Sequence, residues 1–156
     1  MQPEKLLMDL LLKKGYTLCT AESCTGGLIS ARITSLAGSS RFFKGAVIAY
    51  DNSVKLKLLS VNPKVLETFG VVSSEVVQQM ALGASGLLES DCAISVSGIA
   101  GPGGGTPIKP VGLVYIGTSV GQSVTSRKYL FTGNRAEIRA LAASASLSQL
   151  IQQFTQ

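Results

Sequence analysis

The sequence contains no histidine. This absence excludes a Ser-His-Asp triad, a Cys-His pair and every histidine-ligated metal site, because each of them needs an imidazole. The three cysteines have no C-x-x-C spacing, and their odd number argues against a framework of disulfides. We therefore expect a reduced, cytoplasmic setting, with no metal and no cofactor. A nucleophilic serine would need Lys, Tyr, Asp or Glu as its base, and a Ser-Lys arrangement is the natural choice.

Charged residues are also scarce, at 15% of the chain against 46% apolar residues. This composition excludes a disordered chain and predicts a single globular domain over residues 1–156 with a substantial core. No apolar run is long enough to span a bilayer, since Asp9 and Lys13 interrupt the N-terminal one. The start of the chain also lacks the basic region and cleavage site of a signal peptide. We expect no membrane segment.

The net charge of +5 has two interpretations. No nucleic-acid-binding motif and no aromatic stacking platform accompany the scattered basic residues, so we expect no nucleic-acid partner. A small phosphorylated ligand would explain the excess of positive charge. Charge that serves only solubility is the alternative.

The residues Ala21–Gly27 form the most informative stretch. A short β-type run precedes them and a helical pattern follows, so a strand turns into a helix at Ser23. Unpaired N–H groups at such a helix start attract anions, and a serine there is displayed much as in a nucleophile elbow. The alternative is that Ser23 or Thr25 serves only as the helix N-cap.

Turn and cap residues divide the remaining chain into alternating helices and strands, which predicts an α/β fold. A tight turn at Gly121-Gln122 joins the last two strands into an antiparallel hairpin, so the sheet should be mixed. We predict helices over residues 3–14, 28–36, 63–70 and 75–89, a short helix capped by Asp51 or Asn52, and a last helix capped by Asn134. We predict strands over residues 16–21, 45–50, 92–97, 111–120 and 123–131, and we expect 45–50 to be buried on both faces.

Two further segments follow predicted strands, where open α/β sheets collect ligands. Tyr50 and Lys55 lie at the end of the second strand, with Lys55 one turn into a short helix. Residues 98–107 hold so many glycines and prolines that regular structure is excluded, and they suit close backbone approach to a phosphate or ribose. A flexible surface loop is the alternative. The pair Phe42-Phe43 could cover a pocket or a dimer partner, or it could pack into the core.

Two arginines lie near the start of the last helix. Arg135 and Arg139 are four residues apart and share a face, and their charge opposes the helix dipole. A bound anion would offset that cost, and guanidinium suits phosphate. A solvated face with Glu137 nearby is the alternative.

Together these motifs resemble the CinA C-terminal domain family, over roughly residues 4–154. The resemblance rests on five segments in the family's order: Ala21–Gly27, Tyr50-x-Asn52-x-x-Lys55, Ser97–Pro102, Lys109–Gly112 and Gly133–Arg135. It implies a three-layer α/β/α sandwich with a mixed central sheet, and a homodimer. It also implies hydrolysis of nicotinamide mononucleotide to nicotinic acid mononucleotide and ammonia. The larger N-terminal domain of many members is absent, so we expect a stand-alone amidohydrolase domain.

The resemblance assigns Ser23 as the nucleophile and Lys55 as its base, with Tyr50 close by, and we expect Tyr50 to take part in catalysis by relaying the proton or steadying Lys55. The chemistry is consistent, because a Lys can act as a base only when burial or a neighbouring cation makes it neutral. We expect the substrate-binding groups to come from three parts of the chain, namely the N–H groups near Thr25, Gly26 and Gly27, the residues Asn52, Ser97, Gly98 and Gly101, and the arginines Arg135 and Arg139.

Three alternatives remain open. Cys24 is a rival nucleophile beside Ser23, although without histidine its thiolate would depend on Lys55 or the helix dipole. The domain could instead bind a phosphorylated ligand as a regulatory module without turnover. A third possibility is hydrolysis of a related amide.

Overall fold

The computed structural model describes residues 2–156, which form a five-stranded sheet with helices packed on both faces. The strands are β1 (Leu18–Glu22), β2 (Phe43–Ile48), β3 (Cys92–Gly98), β4 (Leu113–Val120) and β5 (Ser123–Leu130). The helices are α1 (Pro3–Lys14), α2 (Leu28–Thr34), α3 (Asn52–Leu58), α4 (Pro63–Phe69), α5 (Ser74–Leu88) and α6 (Arg135–Phe154), with a 3₁₀ turn at Ser39–Arg41. No helix within residues 2–156 is long and apolar enough to cross a membrane.

The sheet is mixed, as predicted. Its strand order is β2-β1-β3-β4-β5. Strand β1 runs parallel to both β2 and β3, whereas β3–β4 and β4–β5 are antiparallel pairs. The carboxyl ends of β1, β2 and β3 therefore meet at one edge of the sheet, where ligands bind in open α/β folds.

Side chains alternate across the central strands and build two cores, which confirms the three-layer α/β/α arrangement. On β1, Leu18 joins the cluster formed with α1, α2 and α6, and the next residue, Cys19, joins the cluster formed with α3, α4 and α5. On β3, Ile94 and Ala93 divide between the same two clusters. Successive side chains on a strand point to opposite faces, so burial of both faces requires a helical layer on each side.

The helix ends follow the predicted cap chemistry. Pro3 begins α1, and Gly15 ends it with a φ of 69°. The Asp51 side chain accepts a hydrogen bond from the Ser53 N–H at the start of α3. Asn134 and Glu137 form a capping box at the start of α6. The Asp51 and Asn134 side chains each satisfy an N–H group that the first helical turn leaves unpaired, and the Gly15 N–H donates to carbonyl groups of the last turn of α1.

One strand prediction was wrong. Strand β2 covers residues 43–48 and is not buried on both faces, because it is an edge strand with alternating exposure. Its side chain at Ile48 is 43% exposed. The aromatic pair at its start lies in the core instead of covering a pocket, since Phe42 is buried and Phe43 packs against the same cluster.

Candidate active site

A cleft of about 340 Å³ opens where the carboxyl ends of β1, β2 and β3 meet. Five segments form its walls: the turn after β1, the connection from β2 into α3 with the start of that helix, the segment between α4 and α5, the glycine loop after β3, and the start of α6. The lining residues are Ser23, Cys24, Tyr50, Asn52, Lys55, Val71, Val72, Ser97, Gly98, Ile99, Ala100, Gly101, Gly103, Gly104 and Arg135.

Ser23 and Lys55 are in contact in this cleft, although 32 positions separate them in the sequence. Lys55 is completely buried, and its Nζ lies 3.1 Å from the Oγ of Ser23. The same Nζ lies 2.5 Å from the carbonyl oxygen of Ala49 and 3.3 Å from that of Tyr50. The end of β1 supplies the hydroxyl, and the tight passage from β2 into α3 supplies the amine together with its two carbonyl partners.

The surroundings of Lys55 favour a neutral amine. Burial lowers the pKa of the Lys55 side chain below its usual value, while the nearby Asp51 and Cys24 act in the opposite direction. The three partners suit both protonation states, because an ammonium can donate to all three oxygens, whereas a neutral amine can donate two hydrogen bonds and accept one. Two carbonyl oxygens can take the two donated bonds, which leaves the nitrogen lone pair for the proton on Ser23 Oγ.

Cys24 lines the same cleft but is poorly suited to act as the nucleophile. Its thiol is buried, and this burial raises the pKa to about 11. Only the thiolate is strongly nucleophilic, so roughly one Cys24 in ten thousand would be reactive at pH 7. The geometry therefore favours Ser23.

The side chain that organises the turn after β1 is Glu22, which the sequence analysis did not single out. Glu22 is completely buried. One of its oxygens accepts hydrogen bonds from Thr25 Oγ1 at 2.7 Å, from Gly27 N–H at 3.2 Å and from Ile29 N–H at 3.0 Å. The other accepts from Ser30 N–H at 3.0 Å. The anion at the start of α2 is thus the protein's own carboxylate.

This arrangement shows that neither Ser23 nor Thr25 is the N-cap residue of α2. The N-cap position of α2 is Gly27, with a φ of 105° and no side-chain cap hydrogen bond. Neither hydroxyl caps the helix, because the Glu22 carboxylate reaches the first-turn N–H groups from the preceding strand. Ser23 is left free to face Lys55 in the cleft.

The turn offers two N–H groups that could bind an oxyanion. Of the three groups predicted for this role, Gly26 N–H donates to the Ser23 carbonyl and Gly27 N–H donates to Glu22. Within residues 2–156, the N–H groups of Cys24 and Thr25 have no protein acceptor. These two are therefore the unpaired backbone donors of the turn that follows Ser23.

The two arginines of α6 have different surroundings. Arg135 lines the cleft, where it donates to the Gly101 carbonyl at 2.8 Å and to the Tyr50 hydroxyl at 3.3 Å. Arg139 does not line the cleft. It donates from Nε to the Cys24 carbonyl and from Nη2 to the Thr25 carbonyl, each at 3.0 Å.

Tyr50 lies at the rim of the cleft. Its side chain is 63% exposed, and its hydroxyl contacts Arg135. Its contact with Lys55 is made through the backbone carbonyl. The phenol is therefore placed to meet the outer part of a bound molecule.

The remaining predicted residues occupy the opposite walls. The Ser97 hydroxyl donates to the Val71 carbonyl at 2.8 Å and ties the end of β3 to the apolar wall between α4 and α5. Gly98 permits close packing, since a Cβ there would lie 2.6 Å from Val114. Gly101 is buried and has a φ of 80°, directly before the exposed part of the glycine loop, and Asn52 lines the cleft beside Lys55. In the part of the chain that the structure describes, the N–H groups of Gly101, Gly103 and Gly104 have no protein acceptor.

No group of three or more Cys, Asp or Glu residues within residues 2–156 is placed to hold a metal ion. The apolar wall of Val71 and Val72 was not predicted, because residues 71–72 lie in a short connection without a motif.

Comparison with known proteins gives a consistent family. Residues 1–154 match the family model described as the CinA C-terminal domain. A CinA-like protein from Trichormus variabilis is 52% identical over 145 residues, which are 91% of this chain and 35% of that protein. A putative competence-damage inducible protein from Desulforudis audaxviator is 44% identical over 145 residues, which are 93% of this chain and 35% of that protein. The chain thus spans about a third of the length of these curated relatives.

Solved structures have the same fold. The competence/damage inducible protein CihA from Agrobacterium tumefaciens superposes with a TM-score of 0.91 at 38% sequence identity, covering 96% of this chain and 94% of that one. The competence damage-inducible protein A from Klebsiella pneumoniae superposes with a TM-score of 0.93 at 30% identity, covering 100% and 99%.

Proposed function

The chain belongs to the CinA C-terminal domain family, and we propose that it is an amidohydrolase with a Ser23–Lys55 pair. Its proposed reaction converts nicotinamide mononucleotide to nicotinic acid mononucleotide and ammonia. The observation that carries this proposal is the completely buried Lys55, whose Nζ lies 3.1 Å from Ser23 Oγ. A purely structural lysine in a core would be expected to pair with a carboxylate, whereas this one meets a hydroxyl and two carbonyls.

Acylation begins with proton transfer from Ser23 to Lys55. As Lys55 Nζ takes the hydroxyl proton, Ser23 Oγ forms a bond to the carboxamide carbon, and the carbonyl electrons move onto the oxygen. The N–H groups of Cys24 and Thr25 stabilise this oxyanion. When the tetrahedral intermediate collapses, the C–N bond breaks and the Lys55 ammonium gives its proton to the departing nitrogen. Ammonia leaves and an ester on Ser23 remains.

Deacylation repeats these steps with water. Lys55, neutral again, takes a proton from a water molecule that attacks the ester carbon. The second tetrahedral intermediate then collapses, the bond to Ser23 Oγ breaks, and Lys55 returns the proton to that oxygen. The product is the carboxylic acid, which releases its proton to water and becomes the carboxylate. One lysine therefore serves as base and acid in both halves, which explains why no histidine is required.

The rest of the cleft suits a flat ring that carries a phosphorylated sugar. Val71 and Val72 provide an apolar wall beside Ser23, where an aromatic carboxamide can lie. Arg135 and the free N–H groups of the glycine loop stand at the open side, where they could hold a phosphate. This arrangement supports Arg135 as the phosphate-binding arginine of the proposed enzyme, since Arg139 does not line the cleft.

The test is ammonia release from nicotinamide mononucleotide by the purified protein. Ser23→Ala should lower the rate of ammonia release by at least about a thousandfold, because the nucleophile is lost. The far-UV circular dichroism spectrum should stay unchanged, because no core volume is lost. Cys24→Ala should retain most of the activity. If Cys24→Ala is the inactive variant, the nucleophile is the thiol and the assignment is wrong.

The same assay separates the enzyme from a regulatory binding module. Binding of the mononucleotide without ammonia release, detected by calorimetry at matched protein concentration, would support the module and refute turnover of this substrate. Release from a different carboxamide, but not from the mononucleotide, would keep the Ser–Lys chemistry and change the substrate.

A further inference from the structure

Arg139 is a half-buried cation whose hydrogen bonds all go to the turn that carries Ser23. Its guanidinium lies on α6 and donates to two successive carbonyls of that turn, at Cys24 and Thr25. No carboxylate pairs with it among the salt bridges of residues 2–156. A fork of fixed donors that grips two neighbouring carbonyls restricts the peptide planes to which they belong.

The restricted peptide planes include a proposed oxyanion donor. The Cys24 carbonyl and the Thr25 N–H belong to one peptide unit and point in opposite directions in a trans peptide. The hydrogen bond from Arg139 Nε to that carbonyl therefore fixes the direction of the Thr25 N–H. The Ser23 carbonyl is held by Gly26 N–H in the same way, and this fixes the direction of the Cys24 N–H.

The turn is held from a second direction by Glu22. Its buried carboxylate binds the hydroxyl of Thr25 and the N–H of Gly27, whereas Arg139 binds carbonyls. Gly26 lies between them with a φ of 57°, in the left-handed region that favours glycine, and Arg139 Nη2 is its neighbour on the open side. Donors and acceptors of one short turn are thus bound by two side chains of opposite charge, from different elements.

We propose that Arg139 is a positioning residue for the nucleophile turn and makes no contact with the substrate phosphate. The proposal rests on the proposed function of Ser23. Its physical content is that the guanidinium keeps the Cys24 and Thr25 N–H groups aimed at the oxyanion position, where a misplacement of about 1 Å can cost on the order of a hundredfold in rate.

The experiment compares Arg139→Ala and Arg139→Lys with Arg32→Ala. Arg32 is a matched control, because its guanidinium also bridges elements, donating to Ser144 on α6 at 2.6 Å and to Glu4 on α1 at 2.8 Å, but does not touch the turn. Each variant is assayed for kcat and KM with the mononucleotide and with its dephosphorylated riboside. Each is also labelled with a fluorophosphonate, which reports the reactivity of Ser23 whatever the natural substrate is.

Arg139→Ala should lower kcat by roughly 10- to 100-fold on both substrates, with KM changed by less than about threefold. The labelling rate should fall to a similar extent. Free guanidinium should restore part of the rate that Arg139→Ala has lost. Arg139→Lys should have a kcat between those of the unmodified protein and Arg139→Ala, because one ammonium cannot hold both carbonyls in a fixed fork. Arg32→Ala should keep kcat and the labelling rate even if it melts at a lower temperature.

Several results would overturn the inference. A loss confined to KM for the mononucleotide, absent with the riboside, would make Arg139 a phosphate ligand. An unchanged labelling rate in Arg139→Ala would remove it from the positioning of the turn, while the proposed function would stand. If Arg139→Ala does not fold, the same measurements of kcat, KM and labelling rate on Arg139→Lys and Arg32→Ala decide the question. An unmodified protein in which the probe leaves Ser23 unlabelled would overturn both proposals together.

Discussion

Replacing the buried Glu22 with glutamine tests how the nucleophile turn is held. Each oxygen of the Glu22 carboxylate contacts three donors. In glutamine one of these oxygens is replaced by an NH₂ group, so three of the donors then face another donor. The less costly orientation keeps the oxygen toward Gly27 and Ile29 and puts the nitrogen toward Ser30 N–H, which is then orphaned. The hydroxyls of Ser30 and Thr20 can rotate to accept instead of donating.

The magnitude follows from these contacts. One orphaned buried N–H costs about 1–3 kcal/mol, and the two retained N–H contacts each lose about 1 kcal/mol when the acceptor is no longer charged. We expect Glu22→Gln to lower the free energy of unfolding by about 3–5 kcal/mol, a large part of the 5–15 kcal/mol typical of a domain. For a chain of this length the melting temperature should fall by roughly 6–20 °C.

Urea denaturation followed by far-UV circular dichroism is the appropriate assay, since the chain has no tryptophan for fluorescence. Glu4→Gln is the control, because Glu4 accepts one charge-assisted hydrogen bond from the partly exposed Arg32, which the amide oxygen can still accept, so the loss should be about 1–2 kcal/mol. If Glu22→Gln and Glu4→Gln lose the same amount, the hydrogen bonds of Glu22 do not hold the turn as described.

Two further predictions concern the substrate and the pH profile. Arg135→Ala should lower kcat/KM for the mononucleotide by roughly 10- to 100-fold, the loss of one charge-assisted contact to phosphate, and should hardly affect the riboside; equal losses on both substrates would remove Arg135 from the phosphate site. Activity should rise with pH through the lowered pKa of Lys55, and Asp51→Asn should move this rise to lower pH, because the Asp51 charge raises that pKa. Asparagine already caps α4 and α6 in this chain, so the start of α3 should be preserved, and a pH–rate profile that does not move would contradict the role of Lys55 as base.

Features that depend on neighbouring residues in the sequence were predicted well. Pro3 and Gly15 mark the ends of α1, and Asn134 with Glu137 marks the start of α6, since cap chemistry acts over three or four positions. The turn at Gly121-Gln122 likewise gave the hairpin and hence the mixed sheet. The contact between Ser23 and Lys55 followed from the family motif and from the common edge of parallel strands.

Features that depend on contacts with segments far away in the sequence could not be predicted from the local sequence pattern. The apolar run of β2 resembles a central strand, but only the strand order shows that one of its edges is free. The i,i+4 spacing of Arg135 and Arg139 predicts a shared helix face, yet the two carbonyls that Arg139 contacts belong to a turn 115 and 114 positions away in the sequence. Glu22 gives no signal of its own, because a glutamate at the end of a strand is usually solvated.

The burial of Lys55 also links catalysis to the stability of the fold through protons. Its pKa is lowered in the folded protein, so between the folded and unfolded pKa values the unfolded chain binds more protons at this position. Stability contributed by this group therefore increases as pH rises through that window and is smallest below it. Between these two pKa values the neutral amine of the folded protein is maintained against the proton affinity of the unfolded chain, and the rest of the sheet and its two helical layers must supply the free energy that keeps it there.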